Sequence, residues 1–190
     1  MPIKACVFIA VSLDGFISRP DGSIDWLNHA NTLIPEGEDL GFGEFMERTD
    51  VLIMGKNTFE QALTFGEWQY GNKQVIVMSR KGIKIPEALR ENVIISAEDP
   101  ALLLNWLAFR GTRQVYVDGG QTIQSFLREG LISELNITTI PILLGSGRPL
   151  FGSLKADINL RHIFTKPYPF GFVQSRYAVV NDEGAQTEVP

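Results

Sequence analysis

Three polar turns in this sequence, each directly behind an apolar run, carry residue types that can hold phosphate. Gly55-Lys56-Asn57-Thr58 follows Val51 to Met54, Ser79-Arg80-Lys81 follows Gln74 to Met78, and Asp118-Gly119-Gly120-Gln121-Thr122 follows Gln114 to Val117. A ligand with several phosphates needs backbone N–H donors at a helix head, glycines that allow close approach, and Lys or Arg as counter-charge. The three turns together offer all of these. Singly, each reads equally well as a tight connection or a solvated turn. Two familiar phosphate motifs do not fit. A P-loop through Gly55-Lys56 would need its first glycine at Asp50 and a Ser or Thr at Asn57. Gly145-Ser146-Gly147 is followed by Arg148-Pro149-Leu150, so a dinucleotide fingerprint lacks its third glycine.

The elements that must position these turns follow from the apolar pattern. Ala5 to Val11 is a continuous apolar run, as expected of a strand buried on both faces. Leu13 to Asn28 is broken by Asp14-Gly15 and Pro20-Asp21-Gly22 and reads as a loop. Asp39 to Thr49 has Leu40, Phe45 and Met46 near helical spacing. Val51–Met54, Gln74–Met78, Asn92–Ile95 and Gln114–Val117 read as further strands, with a short helix after the Gly55 turn, to Leu63. Ser96 is expected to cap a helix running to Arg110, with Asp99 in its first turn and Gly111 as its stop. Thr122 to Glu129 is a helix stopped by Gly130, and Glu134–Leu144 and Phe172–Val180 are later strands. Strands alternating with helices predict an α/β fold with a mostly parallel sheet, closed by antiparallel C-terminal strands. In such sheets ligands bind beyond the carboxyl ends of the strands, where the three turns lie.

The length of 190 residues suits one domain, expected over 1–180, with 181–190 as a frayed tail. The net charge of −5 argues against a nucleic-acid partner, which needs a basic face. Cys6 is alone, so no internal disulfide can form, and with only His29 and His162 beside it a metal site is not expected. The opening MPIKACVFIAVSLDG lacks the long apolar region and cleavage site of a leader, and no run is long enough to span a bilayer. A cytoplasmic location is the expectation. The Asn136-Ile137-Thr138 sequon lies in a predicted strand and is taken as chance.

Five blocks in order carry a resemblance. They are Ser12-Leu13-Asp14-Gly15-Phe16-Ile17 with Gly22 and Asp25-Trp26-Leu27, Leu52 through Glu60, Val77-Met78-Ser79-Arg80, Val117-Asp118-Gly119-Gly120, and Leu131 through Gly147. The set resembles the dihydrofolate-reductase-like superfamily. It is most similar to the C-terminal reductase domain of the bifunctional riboflavin-biosynthesis deaminase/reductase and its single-domain relatives. The resemblance implies a three-layer α/β/α fold and an NADPH-dependent reductase of a small heterocycle. A 5-amino-6-(5-phosphoribosylamino)uracil and a dihydropteridine are the two substrate types it suggests. No H-x-E…P-C-x-x-C deaminase signature accompanies it.

The resemblance also implies roles. Gly55, Lys56, Asn57 and Thr58 would hold cofactor phosphates, although Lys56-Asn57 stands where relatives commonly carry two cations. Ser79 and Arg80 would meet the 2′-phosphate of NADPH. Gly119, Gly120, Gln121, Thr122 and Ile123 would cradle the pyrophosphate, and Ser12 belongs to a loop over the nicotinamide. Asp39 and Asp14 are the candidate catalytic carboxylates. Asp14, Trp26 and Asp118 would face substrate, Asp118 standing where relatives usually carry Glu. Read without the resemblance, Asp39 is a helix-start Asp, Asp14 part of an Asp-Gly turn, and Trp26 a packing residue. A homodimer through the later strands, with the apolar Ile137–Leu144 run as a compatible feature, is a further implication. Two other functions stay open: a non-catalytic module that senses NADPH, and a magnesium-dependent phosphotransferase using Lys56.

Overall fold

A computed structural model of the chain describes residues 3–180; the expected tail at 181–190 lies outside the described residues. Ten strands and five helices follow in order: β1 (Lys4–Ser12), β2 (Phe16–Ser18), α1 (Asp25–Asn31), α2 (Phe42–Arg48), β3 (Val51–Gly55), α3 (Lys56–Ala62), β4 (Gln74–Met78), β5 (Val93–Ser96), α4 (Pro100–Phe109), β6 (Gln114–Asp118), α5 (Gly120–Arg128), β7 (Ile132–Ile140), β8 (Arg148–Pro149), β9 (Leu160–Pro167) and β10 (Val173–Val179). Eight strands form one sheet in the order β5-β4-β3-β6-β1-β7-β10-β9, while β2 and β8 pair as a separate ribbon. The sheet is parallel from β5 to β7, and β10 and β9 add antiparallel pairs.

The continuous apolar strands are explained by burial on two faces, because successive side chains point to opposite sides. Val51, Ile53, Ile76, Val115 and Val117 pack with Leu103, Leu104 and Leu107 of α4 and with Ile123, Phe126 and Leu127 of α5. Their neighbours Leu52, Met54, Val75, Val77 and Tyr116 pack on the other side with Phe45 of α2 and Phe59 of α3. The result is the three-layer α/β/α arrangement. A third cluster gathers Trp26 and Ala30 of α1 with Ile140, Tyr168 and Phe172.

The differences from the sequence expectation have local causes. The Leu13–Asn28 loop contains β2 and the start of α1. Strand β2 is three residues long and exists only through its pairing with β8, more than a hundred positions away. Helix α2 begins at Phe42 rather than Asp39, because Leu40 and Gly41 both take positive φ. Ser96 ends β5 and does not cap α4. The cap is Asp99, whose side chain accepts the N–H of Ala101 at 3.0 Å, followed by Pro100 in the first turn. Substituting Asp99→Ala is expected to lower stability by about 1 kcal/mol, read as a shift in the urea midpoint at constant slope. Strand β7 stops at Ile140, before Pro141, instead of reaching Leu144. It also lies inside the sheet, with β1 and β10 on its two sides, so its Ile137–Ile140 segment has no free edge to offer a second chain. The free edge on that side is β9, whose largely exposed residues show no apolar alternation and gave no strand signal. No helix among the described residues is long and apolar enough to cross a membrane.

Candidate functional site

The strand registers bring the three polar turns level with one another. Met54 pairs with Asp118, and Gly55 pairs with Met78, so β3, β4 and β6 end along one line. A cleft of about 1570 Å³ opens there. It is lined by Gly55 to Thr58, Met78, Asp118 to Thr122 and Arg148. Phe8, Ala10, Leu27, Ile34, Leu40 and Phe42 give it an apolar wall, and Asp39 lines it as well.

The two glycine turns interlock. Gly119 has φ 88°, in a region only glycine tolerates, and a Cβ there would land on Thr58 Oγ1. A Cβ on Gly55 would lie 3.0 Å from Thr122 Oγ1. No side chain caps α5, so the N–H donors of its first turn are left for a ligand, at the positive end of the helix dipole. Helix heads of this kind bind phosphate. Lys56 stands at the head of α3 and is shared with Glu60 at 3.5 Å. These features fit a dinucleotide pyrophosphate. Ser79 and Arg80 directly follow β4, next to Met78 of the cleft, but are not part of its lining. The Ser79 hydroxyl donates to the Lys81 carbonyl and accepts the Lys81 N–H, shaping the turn, while Arg80 is exposed and has no ion-pair partner among the described residues.

Asp118 is the carboxyl that the cleft perturbs most. It is half-buried between β6 and α5, and its Oδ1 accepts the Gly119 N–H at 2.7 Å. Burial outweighs that hydrogen bond and raises its pKa from 3.8 to about 6. The buried phenols of Tyr70 and Tyr116 are pushed up by burial first and by the Asp118 charge second. Tyr116 donates to the Phe8 carbonyl at 2.9 Å, tying the cleft wall of β1 to β6. A carboxyl that titrates near neutrality and lines a cleft can give a proton to a bound base.

The other two carboxylates are placed differently. Asp39 lines the cleft but is exposed, with Oδ1 accepting the Gly41 N–H and Oδ2 the Gly43 N–H, each at 2.8 Å. Those bonds hold its pKa below the ordinary carboxylate value, so it suits a fixed negative charge better than proton donation. Asp14 is not brought into the cleft. It accepts the Ser12 hydroxyl at 2.6 Å and the N–H groups of Leu144 and Gly145, pinning the β1–β2 turn to the segment after β7. Its pKa is lowered, by the Ser12 hydroxyl first. Ser12 is buried and also accepts the Phe16 N–H, so it organises the loop from below. Trp26 is buried in the third core cluster and Ile123 in the first, and neither lines the cleft.

Several cleft residues escape the sequence reading. Arg148 belongs to the Gly145–Arg148 stretch that fails as a dinucleotide fingerprint, and only the β2–β8 ribbon carries it to the cleft. Its Nε donates to the Pro20 carbonyl at 3.3 Å, while Gln61 of α3 donates to the Gly22 carbonyl at 3.3 Å. Together they hold the 19–25 segment against the cleft, and that segment is braced internally by Arg19 on Asp25 at 2.6 Å. Tyr70 precedes β4 in an irregular stretch with no pattern to mark it.

Comparison with known proteins agrees with this geometry. The family model for the RibD C-terminal domain matches residues 4–171. A Bacillus subtilis (strain 168) protein, YwjB, whose function is uncharacterised, is 34% identical over 172 residues, which is 88% of this chain and 94% of the relative. A crystal structure of a candidate riboflavin biosynthesis protein from Shewanella sp. PV-4 superposes with a TM-score of 0.87 at 37% identity, covering 94% of this chain and 100% of that one. Dihydrofolate reductase from Enterococcus faecalis, complexed with NADP(H), shares the fold at a TM-score of 0.63 and 16% identity, over 94% of this chain and 97% of that one. The polar turns, the sheet that aligns them and the match over nearly the whole described chain make this protein a member of the RibD C-terminal domain family, a reductase-type family built on the dihydrofolate-reductase-like fold.

Proposed function

We propose that the chain is an NADPH-dependent reductase of a small heterocycle. The observation that carries this reading is Asp118, a cleft-lining carboxyl raised to about 6 that directly precedes the Gly119-Gly120 turn. The head of α5 and the turn at Gly55 to Thr58 hold the pyrophosphate, with Lys56 as counter-charge. Arg80, beside Ser79, faces the 2′-phosphate, and the resemblance to NADPH-binding reductases supports that assignment. When bound, the nicotinamide supplies a hydride. The protein's own residues do the rest. Phe8, Leu40 and Phe42 wall a flat ring and exclude water, and protonated Asp118 holds the proton that the reduced nitrogen takes up. Ionised Asp39 lies on the substrate side as a hydrogen-bond acceptor. This arrangement moves the proton donor from Asp39 and Asp14 to Asp118. A homodimer joined through β9 remains part of the proposal, and a sedimentation mass of twice 21.2 kDa is its expected signature.

The test is a titration of the purified chain with NADPH and NADH, followed by nicotinamide fluorescence and quenching of tryptophan emission. Micromolar NADPH binding, at least about tenfold weaker for NADH, is expected. Arg80→Ala should remove most of that difference while leaving NADH binding unchanged. If neither nucleotide binds, the reductase reading fails. If both bind but no heterocycle is reduced and Asp118→Asn changes nothing, the chain is a sensing module instead.

A further inference from the structure

One residue of the cleft wall is held in a conformation that its side chain disfavours. Leu40 has φ 58°, the only positive φ outside glycine among the described residues, in a region that is costly for a residue with a Cβ. Asp39 before it, Leu40 itself and Phe42 all line the cleft, and Phe42 meets Phe8 edge-on at 5.4 Å. Strain of this kind persists only where the surroundings fix it. Here both polar groups of the Leu40 backbone are held by side chains. Its N–H is accepted by Glu38 Oε1 at 2.8 Å. Its carbonyl accepts Gln174 Nε2 at 2.9 Å. Gln174 lies on β10, two strands from β1 in the sheet, and is 3% exposed. It does not line the cleft. Both ends of its amide are engaged, since Nε2 also donates to Thr138 Oγ1 and Oε1 accepts the Tyr168 hydroxyl, each at 3.3 Å. A carbonyl can only accept, so the Leu40 bond fixes which way the amide faces. Glu38 is steered in turn by Lys166 of β9, 3.9 Å from its Oε2.

A buried amide keeps its partners, because leaving one of its groups unpaired away from water is costly. The two C-terminal strands therefore act on a cleft that they do not line. We propose that Gln174, with Glu38, is a positioning residue for the substrate: together they clamp Leu40 and so set where Asp39, Leu40 and Phe42 stand against the bound heterocycle. Neither residue touches the ring. Without the clamp Leu40 relaxes to negative φ, the turn before α2 opens, and the Asp39 carboxylate loses the Gly41 and Gly43 N–H groups that orient it. The turns at Gly55 and Gly119 belong to β3, α3, β6 and α5, and neither clamp residue is hydrogen-bonded to them among the described residues. The ligand in this proposal rests on the reductase reading above, while the clamp itself can be measured with no ligand present.

The experiment has two arms on the full chain. The first is amide hydrogen exchange by NMR without ligand. The second is steady-state reduction by NADPH of 5-amino-6-(5-phosphoribosylamino)uracil and of a dihydropteridine. Gln174→Met keeps the length of the side chain and removes its donor. It is expected to speed exchange at Leu40, Gly41 and Gly43 at least about tenfold more than at Gly119 and Gly120. In turnover, KM for the heterocycle should rise at least about tenfold, with kcat and the NADPH Kd within about twofold of native. Glu38→Ala, at a half-exposed position where folding is less at risk, should give the same pattern. Glu38→Gln keeps an acceptor for the Leu40 N–H and should stay near native values in both arms. Exchange that is unchanged at residues 40–43, or raised equally at Gly119 and Gly120, overturns the proposal. So does a native KM in the clamp variants, or a Glu38→Gln no better than Glu38→Ala. If Gln174→Met does not fold, the two Glu38 variants decide by the same criteria. Failure to bind NADPH or to reduce either heterocycle sinks the reductase reading instead, and the exchange arm then decides the clamp by itself.

Discussion

Replacing Asp118 with Asn is expected to lower the rate of heterocycle reduction by about 10²–10⁴-fold, the usual contribution of a positioned general acid. Nucleotide binding should be nearly unchanged, because the Asn Oδ1 still accepts the Gly119 N–H that Asp118 holds at 2.7 Å. The pH dependence has a definite sign. Asp118 donates only when protonated, so activity that depends on it is full below its pKa of about 6 and falls as pH rises through that value. Asp118→Asn should lose this limb of the profile. Stability should fall in the same direction as pH rises, over the window just below that value. The folded chain holds the Asp118 proton up to about pH 6, while the ordinary value is 3.8. Between those values the native state binds more protons than the unfolded chain, so stability falls as pH rises. Above pH 6 both states are ionised and the full penalty of burying the charge remains, up to about 3 kcal/mol for a shift of this size and less where cleft water reaches the carboxyl. Asp118→Asn should therefore be the more stable protein at pH 8 and should lose that advantage near pH 4. Denaturant midpoints at the two pH values check this. A variant that is inactive and equally stable at both would separate the carboxyl's chemistry from its burial, and would sink the assignment of a raised pKa.

Gly119→Ala is expected to abolish nucleotide binding, with a Kd weakened at least about 100-fold, since the turn must open to admit the new methyl group. Two effects combine. The backbone at φ 88° is strained for any residue with a Cβ, which costs about 1–3 kcal/mol. The methyl carbon would also land on Thr58 Oγ1, in the turn that opens α3. Thr58→Ala in the same background removes the steric overlap and leaves the backbone strain. The double variant should therefore regain part of the stability lost by Gly119→Ala. Thermal denaturation of the single and double variants, beside NADPH titrations of each, separates the two effects. Tight NADPH binding by Gly119→Ala would mean that the head of α5 is not where the pyrophosphate sits.

Much of this architecture is legible in the sequence. The runs Val51–Met54, Gln74–Met78 and Gln114–Val117 are apolar at every position because both sheet faces are covered, and each is followed at once by the turn it presents. Local chemistry also marks the three turns as a set, since glycines and a helix head behind buried strands suit a phosphate together, although each alone reads equally well as a tight connection. What the sequence leaves undecided depends on distance along the chain. Arg148 reaches the cleft only because β8 pairs with β2, and two- and three-residue strands have no pattern of their own. Asp14, Asp39 and Asp118 look alike as letters, each beside a glycine or at a helix start. Burial between β6 and α5 raises Asp118, two nearby backbone N–H groups hold Asp39 ionised, and the Ser12 hydroxyl and the N–H groups of Leu144 and Gly145 take up Asp14. A carboxyl's proton affinity is a property of what surrounds it, and only the tertiary structure brings those surroundings together.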